Sequence, residues 1–148
     1  MTTAVLKSIH IKASKFQKWG AFVANSNAAM RIELIRTGVK AEVLVSASEY
    51  FDMPRAQFVK LMGMSPATAE RKIKSGSLLG PLESERLERL AMIENAAEII
   101  FGSAEMAKNW LMRKNLALGH TPLSLLDTET GAGEVKKILA SIAYGGAV

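Results

Sequence analysis

Apolar residues recur at three- and four-residue spacing along almost the whole chain, while period-two alternation of β-branched residues is nearly absent. That rhythm puts apolar side chains on one stripe of a helix and supplies no half-buried strand, so it predicts an all-α fold. Three of the four prolines, Pro54, Pro66 and Pro122, stand where a first helical turn would begin, a position at which a missing N–H costs nothing.

Composition narrows the function. A chain of 148 residues, 49% hydrophobic and 22% charged, holds one ordinary domain or two small ones and buries roughly 68% of its unfolded surface. There is no cysteine, which excludes disulfides, thiol nucleophiles, thiolate zinc sites and iron–sulfur clusters and points to a reducing compartment. No apolar run approaches the ~20 residues of a membrane span, and lysines interrupt the first 25 residues where a signal peptide would be apolar; a cytoplasmic location is expected.

Charge is unevenly spread. Residues 1–80 carry 12 Lys and Arg against 5 Asp and Glu, whereas residues 81–148 carry 7 against 9. One half suits a polyanion and the other does not. The predicted organisation is a basic N-terminal segment over 1–27, a helix-turn-helix domain over 28–80 and a second helical domain over 81–148.

In the first segment Lys7, Lys12, Lys15 and Lys18 precede any acidic residue, and Phe16, Trp19 and Phe22 recur every third position. The plain reading is a helix docking an apolar face on the body; a nucleic-acid arm is the alternative. Helices are predicted over about 28–36, closed by Gly38, and about 40–51, with Asp52 capping the next helix. Two short helices succeed them, 54–62 and 66–74. A long helix is expected over 81–101 and another over 103–114, with Met106, Ala107, Trp110 and Leu111 facing inward. The last runs from the Asp127-Thr128 cap to about Tyr144, burying Val135, Ile138, Leu139 and Ile142.

The segment RAQFVKLMGMSPATAERKIKSG reads as two helices around a tight turn. Gly63 tolerates positive φ, Ser65 is the N-cap and Pro66 the first helical residue. Phe58, Val59, Met62, Met64, Ala69 and Ile73 fuse the pair, leaving Ala67, Thr68, Arg71, Lys72 and Lys74 outward. Arginine pairs with guanine, threonine reads base edges, lysines meet phosphates, and the N–H groups from Ser65 to Thr68 suit a phosphate. The candidate DNA-binding residues are Ser65, Ala67, Thr68, Arg71, Lys72 and Lys74. Val59 stands where a small alanine is usual, and Ala69 where a larger aliphatic is.

In the rear half, Arg86 and Arg89 open a long helix that ends at Phe101-Gly102. Then come Ala107 with Trp110 and Leu111, Asn115 with Ala117, Leu118 and Gly119, Pro122 to Leu126 with Thr128, and finally Gly131, Val135, Leu139 and Tyr144-Gly145. This ordered series resembles the toxin-binding domain of the Xre/MbcA/ParS antitoxins, and with the helix-turn-helix the resemblance spans about residues 40–146. It implies an all-α chain with an N-terminal Xre/Cro-like helix-turn-helix domain and a small helical toxin-binding domain. It further implies a homodimeric type II antitoxin that binds its own operator DNA and inhibits a RES-domain toxin, a family that destroys NAD⁺. The last helix and tail are expected to obstruct the toxin's cleft, through Leu139, Ile142, Tyr144, Gly145, Gly146 and the terminal carboxylate of Val148.

Plain structural readings stand beside these. Trp110 fits a core position, and Arg86 and Arg89 fit salt bridges within their own helix, among Glu83, Glu85 and Glu88. His10 and His120 lack metal-ligand spacing, and Gly131-Ala132-Gly133 is preceded by no strand, so no metal, nucleotide or other cofactor is expected. An enzyme is disfavoured because no nucleophile and base share a spacing. The competing reading is a free-standing helix-turn-helix transcription regulator without a toxin.

Overall fold

The computed structural model describes residues 14–145. Lys7, His10 and Lys12 of the basic segment, and Gly146 and Val148 of the tail, lie outside the described residues. Among those described, eight α-helices and one 3-10 turn are present and no strand. They are α1 (Lys15–Ala24), α2 (Ala28–Thr37), α3 (Glu42–Tyr50), α4 (Arg55–Leu61), α5 (Pro66–Ser75), α6 (Pro81–Phe101), α7 (Ala104–Met112), the 3-10 turn (Pro122–Leu125) and α8 (Glu129–Ala143).

The frame is α6, 21 residues long, against which α1, α2, α7 and α8 all pack. Leu87, Leu90, Ala91, Ile93 and Ala97 are buried along it, and so are Ser84, Glu88 and Glu94. A helix covered on several sides has to bury polar groups, and each here has a partner. Ser84 Oγ accepts from the Val39 N–H at 2.9 Å. Glu88 takes the Arg31 Nε hydrogen bond at 2.6 Å, fastening α2 to α6.

α1 starts at a capping box: Ser14 Oγ accepts from Gln17 N–H at 3.1 Å, and Gln17 Oε1 accepts from Ser14 N–H at 2.8 Å. Phe16, Gly20 and Val23 face the body, with Lys15 and Lys18 in solvent. Apolar docking therefore describes α1. The three-residue spacing overstates its face, because Phe22 is 58% exposed.

Residues 39–41 pair back onto 77–79. Leu79 N–H donates to Val39 O at 2.8 Å and Ala41 N–H to Ser77 O at 3.0 Å, around a single antiparallel bridge between Lys40 and Leu78. These bonds close α3, α4 and α5 into one unit. Phe51 anchors it by stacking on Phe58 at 6.2 Å and meeting Tyr50 edge-on at 4.9 Å.

Three expectations are corrected. Asp52 does not cap α4; it takes φ 51°, the left-handed conformation that aspartate tolerates, and Pro54 is the N-cap. Met106 is 55% exposed, because the nine-residue α7 buries only Ala107 and Leu111, one turn apart. Ile138 and Ile142 are only half-buried.

Candidate functional site

The front site is α4, its turn and α5. Gly63 adopts φ 78°, Ser65 Oγ accepts from Thr68 N–H at 3.2 Å, and Pro66 fills the first turn. Gly76 ends α5 at φ 66°. Phe58, Val59, Met62, Met64 and Ala69 are buried, so the unusual sizes at 59 and 69 are both accommodated in the core. Ala67, Arg71 and Lys74 are exposed and Thr68 and Lys72 half-exposed, with Ser65 at the exposed start of the helix. All six candidate DNA-binding residues thus sit on one ten-residue helix and its cap.

One feature of this face has no local signal in the sequence. Arg55 Nη1 holds both oxygens of Glu70 at 3.0 and 3.2 Å, bridging α4 and α5. A half-exposed pair of this kind contributes about 0–1 kcal/mol. Its effect on the face is to occupy the one acidic residue of α5, so the charge presented outward belongs to Arg71, Lys72 and Lys74.

The rear site is the end of α8. Thr128 Oγ1 caps the helix by accepting from Gly131 N–H at 2.9 Å. A Cβ on Gly131 would stand 2.0 Å from the Leu125 carbonyl oxygen, so the absence of a side chain sets how closely α8 meets the 3-10 turn. Ala132, Val135 and Leu139 are buried, and Leu139 packs inward at the floor of a hollow beside α6. Beyond it Ile142 is half-exposed, Tyr144 is 91% exposed and Gly145 turns at φ 76°. Gly146 and Val148 lie outside the described residues.

Two hollows flank this helix and its neighbour. One of about 450 Å³ lies between α6 and α8, lined by Arg89, Met92, Ile100, Lys136 and Leu139 among others. The second, about 390 Å³, is walled by Phe101, Met106 and Trp110 with Arg113 and Lys114. Trp110 is half-buried against Phe101, with ring centroids 5.6 Å apart, and is neither fully core nor free.

The two arginines of the α6 motif depart from the intrahelical reading. Arg89 does pair with Glu85 at 3.2 Å, but its other nitrogen donates to the Leu126 carbonyl at 2.9 Å. Arg86 donates across to the Met62 carbonyl at 3.0 Å. Sequence spacing carries no sign of either long-range bond.

Between the halves lies a buried polar cluster that the spacing of residues does not disclose either. Tyr50 Oη donates to Glu94 Oε2 at 2.8 Å, and Gln17 Nε2 donates to Glu98 at 3.1 Å. Lys108 Nζ stands 4.9 Å over the Tyr50 ring and 3.3 Å from Asp52. Burial, reinforced by Glu98, pushes the Glu94 carboxyl up to about 8. Burial and then the Glu94 charge hold the Tyr50 phenol well above its usual range.

Glu94 is accordingly neutral in the folded chain at pH 7 and ionised in the unfolded one. The contribution of Glu94 to stability is full below about pH 4.5, falls as pH rises toward 8 and is lost above it. Glu94→Gln keeps an acceptor for Tyr50 and a donor for Glu98. Thermal melts are expected to coincide with wild type near pH 5 and to lie several degrees higher at pH 9. Parallel curves across that range would show that Glu94 is not the group responsible.

Comparison with known proteins adds the family. Residues 30–92 match the antitoxin Xre-like helix-turn-helix domain, and residues 96–145 match the antitoxin Xre/MbcA/ParS C-terminal toxin-binding domain. The chain is 30% identical over 122 residues to an antitoxin Xre of Yersinia enterocolitica, covering 81% of this chain and 82% of that one. It is 39% identical over 79 residues to an antitoxin Xre of Pseudomonas putida, covering 53% and 50%. A protein of Sphingobium sp. named Prs ADP-ribosylating antitoxin is 30% identical over 125 residues, covering 78% and 79%. With an exposed cationic helix on a helix-turn-helix in front and a toxin-binding domain behind, the chain belongs to the Xre antitoxin family.

Proposed function

We propose that this chain is the antitoxin of a type II toxin–antitoxin module, acting in the cytoplasm as an inhibitor and not as an enzyme. It neutralises a RES-domain, NAD⁺-degrading toxin through the end of α8 and the tail, and represses its own operon as a homodimer. The observation that carries the reading is the separation of two surfaces: α5 packs chiefly on α4, whereas α8 packs on α6 and the 3-10 turn.

On the DNA side, Arg71 reads a base, Lys72 and Lys74 hold phosphates, and Ala67, Thr68 and the Ser65 cap approach the groove. A dimer supplies two such helices for half-sites about one helical turn apart. On the toxin side, Ile142 and Tyr144 supply apolar area, and the glycines at 145 and 146 let the chain enter a narrow cleft. The Sphingobium relative carries ADP-ribosylation in its name. ADP-ribosyl transfer also consumes NAD⁺, so a transferase is the second reading of the toxin.

Co-expression with the product of the neighbouring reading frame tests the partnership. Growth arrest and NAD⁺ loss caused by that product are expected to be reversed by this chain. Both reactions release nicotinamide, so ADP-ribose attached to a target protein, in place of free ADP-ribose, would identify a transferase instead. Arg71→Ala is expected to weaken binding to DNA from upstream of the gene about 10- to 100-fold, the loss of one bidentate base contact. Neutralisation by the same variant should be unchanged, and loss of both activities in a folded variant would overturn the two-surface reading.

A further inference from the structure

The long-range bond of Arg86 ties the DNA-binding unit to the rest of the chain at the turn after α4. That turn uses its own N–H groups on earlier carbonyls: Gly63 N–H donates to Lys60 O at 3.0 Å and Met64 N–H to Val59 O at 2.9 Å. The Met62 carbonyl, at the C-cap, is an orphan acceptor of the kind every helix end leaves. Arg86 Nη1, reaching over from α6, satisfies it at 3.0 Å.

The same guanidinium occupies the space that a side chain at position 63 would need. A Cβ on Gly63 would lie 1.7 Å from Arg86 Nη1 and 2.7 Å from Cζ. Gly63 is thus favoured by its φ of 78°, and a side chain there would displace the Arg86 guanidinium from its niche. A charged donor makes a hydrogen bond to a carbonyl roughly twice as strong as a neutral one. Three residues along the same ridge, Arg89 performs the matching task on Leu126 O.

We infer that Arg86 is a positioning residue of the DNA-binding unit: its guanidinium, seated against Gly63 and bonded to Met62 O, fixes the α4–α5 turn, and so the angle of α5, to the α6 frame. Arg86 itself touches no DNA. The inference rests on the DNA-binding half of the proposed function.

The test uses the full chain, wild type and three variants, with a duplex carrying the DNA immediately upstream of the gene and a scrambled duplex of equal length. Arg86→Ala is expected to bind the upstream duplex about tenfold more weakly, with scrambled-duplex affinity and the salt slope unchanged. Arg86→Lys, which restores a donor without the flat fork, should recover part of that loss. Arg89→Ala should leave DNA binding at the wild-type level. In Arg86→Ala, hydrogen exchange of the amides from Gly63 to Ala69 should speed up at least tenfold, independently of any DNA.

Wild-type affinity in Arg86→Ala, or unchanged exchange at those amides, would overturn the inference while leaving DNA binding intact. A salt slope smaller by about one would also overturn it, because it marks a lost phosphate contact. A wild-type chain that prefers neither duplex would instead overturn the DNA-binding reading, and the inference with it.

Discussion

Gly131→Ala is expected to destabilise the chain by about 2–3 kcal/mol, while Gly133→Ala, two residues further along α8, stabilises it by about 0.5–1 kcal/mol. Both glycines lie in a helix, where alanine normally gains by restricting the unfolded chain. Space decides the sign. A Cβ at 133 meets nothing within 4 Å, whereas one at 131 lands 2.0 Å from the Leu125 carbonyl oxygen and 3.0 Å from its carbon. That obstacle is backbone, so α8 or the 3-10 turn must move, and the Thr128 cap and the burial of Ala132 and Val135 move with it. Thermal or denaturant unfolding of the two variants checks this directly, since a kcal/mol shifts the midpoint by roughly 2–4 °C in a chain of this size. If Gly131→Ala proved as stabilising as Gly133→Ala, the close contact between α8 and the turn would be wrong.

Removal of residues 144–148 is expected to reduce toxin neutralisation at least 100-fold while leaving the melting temperature within a few degrees of wild type. The buried part of α8 stops at Leu139, and Tyr144 stands 91% exposed, so Tyr144 contributes almost nothing to the core. An exposed aromatic at a helix end next to glycine is poorly explained by folding and well explained by a partner's pocket, where one such anchor is worth about 2 kcal/mol or more, about 30-fold, and the proposed pairing of the Val148 carboxylate adds the remainder. Tyr144→Ala alone should account for about a 30-fold share. Titrating the toxin's NAD⁺ consumption against each variant gives the ratio, and full inhibition by the truncated chain would sink this assignment.

Much of this architecture is legible in the sequence because the signals are local. Ser65-Pro66, Gly102-Ser103 and Thr128 set helix ends within a residue or two, since caps act through backbone bonds only three or four positions away. Periodicity likewise places Phe58, Leu87, Leu90 and Val135 inside. It fails at Met106, Ile138 and Ile142, which it places inside and which stand exposed or half-buried. A helix stripe says which side is apolar, not how far along the neighbouring element extends to cover it.

Long-range polar bonds are illegible for a related reason. Glu94 lies on the buried stripe, three residues before Ala97, and stands out there as an acid in an apolar row. Nothing local reveals Tyr50, 44 positions away, as its partner. Arg86 and Arg89 read as local ion pairs because spacing shows only local partners, and their carbonyl acceptors lie 24 and 37 positions away. Asp52 takes a left-handed turn instead of a cap, at a site where Lys108 of α7 reaches its carboxylate.

DNA and toxin are held, on this account, by separate surfaces of one helical frame. Fluorescence anisotropy of a labelled upstream duplex, first saturated with this chain and then titrated with purified toxin, measures that separation. The anisotropy is expected to rise a second time as a ternary complex forms, with the duplex retained. Stoichiometric release of the duplex by toxin would place both partners on one surface and contradict the account.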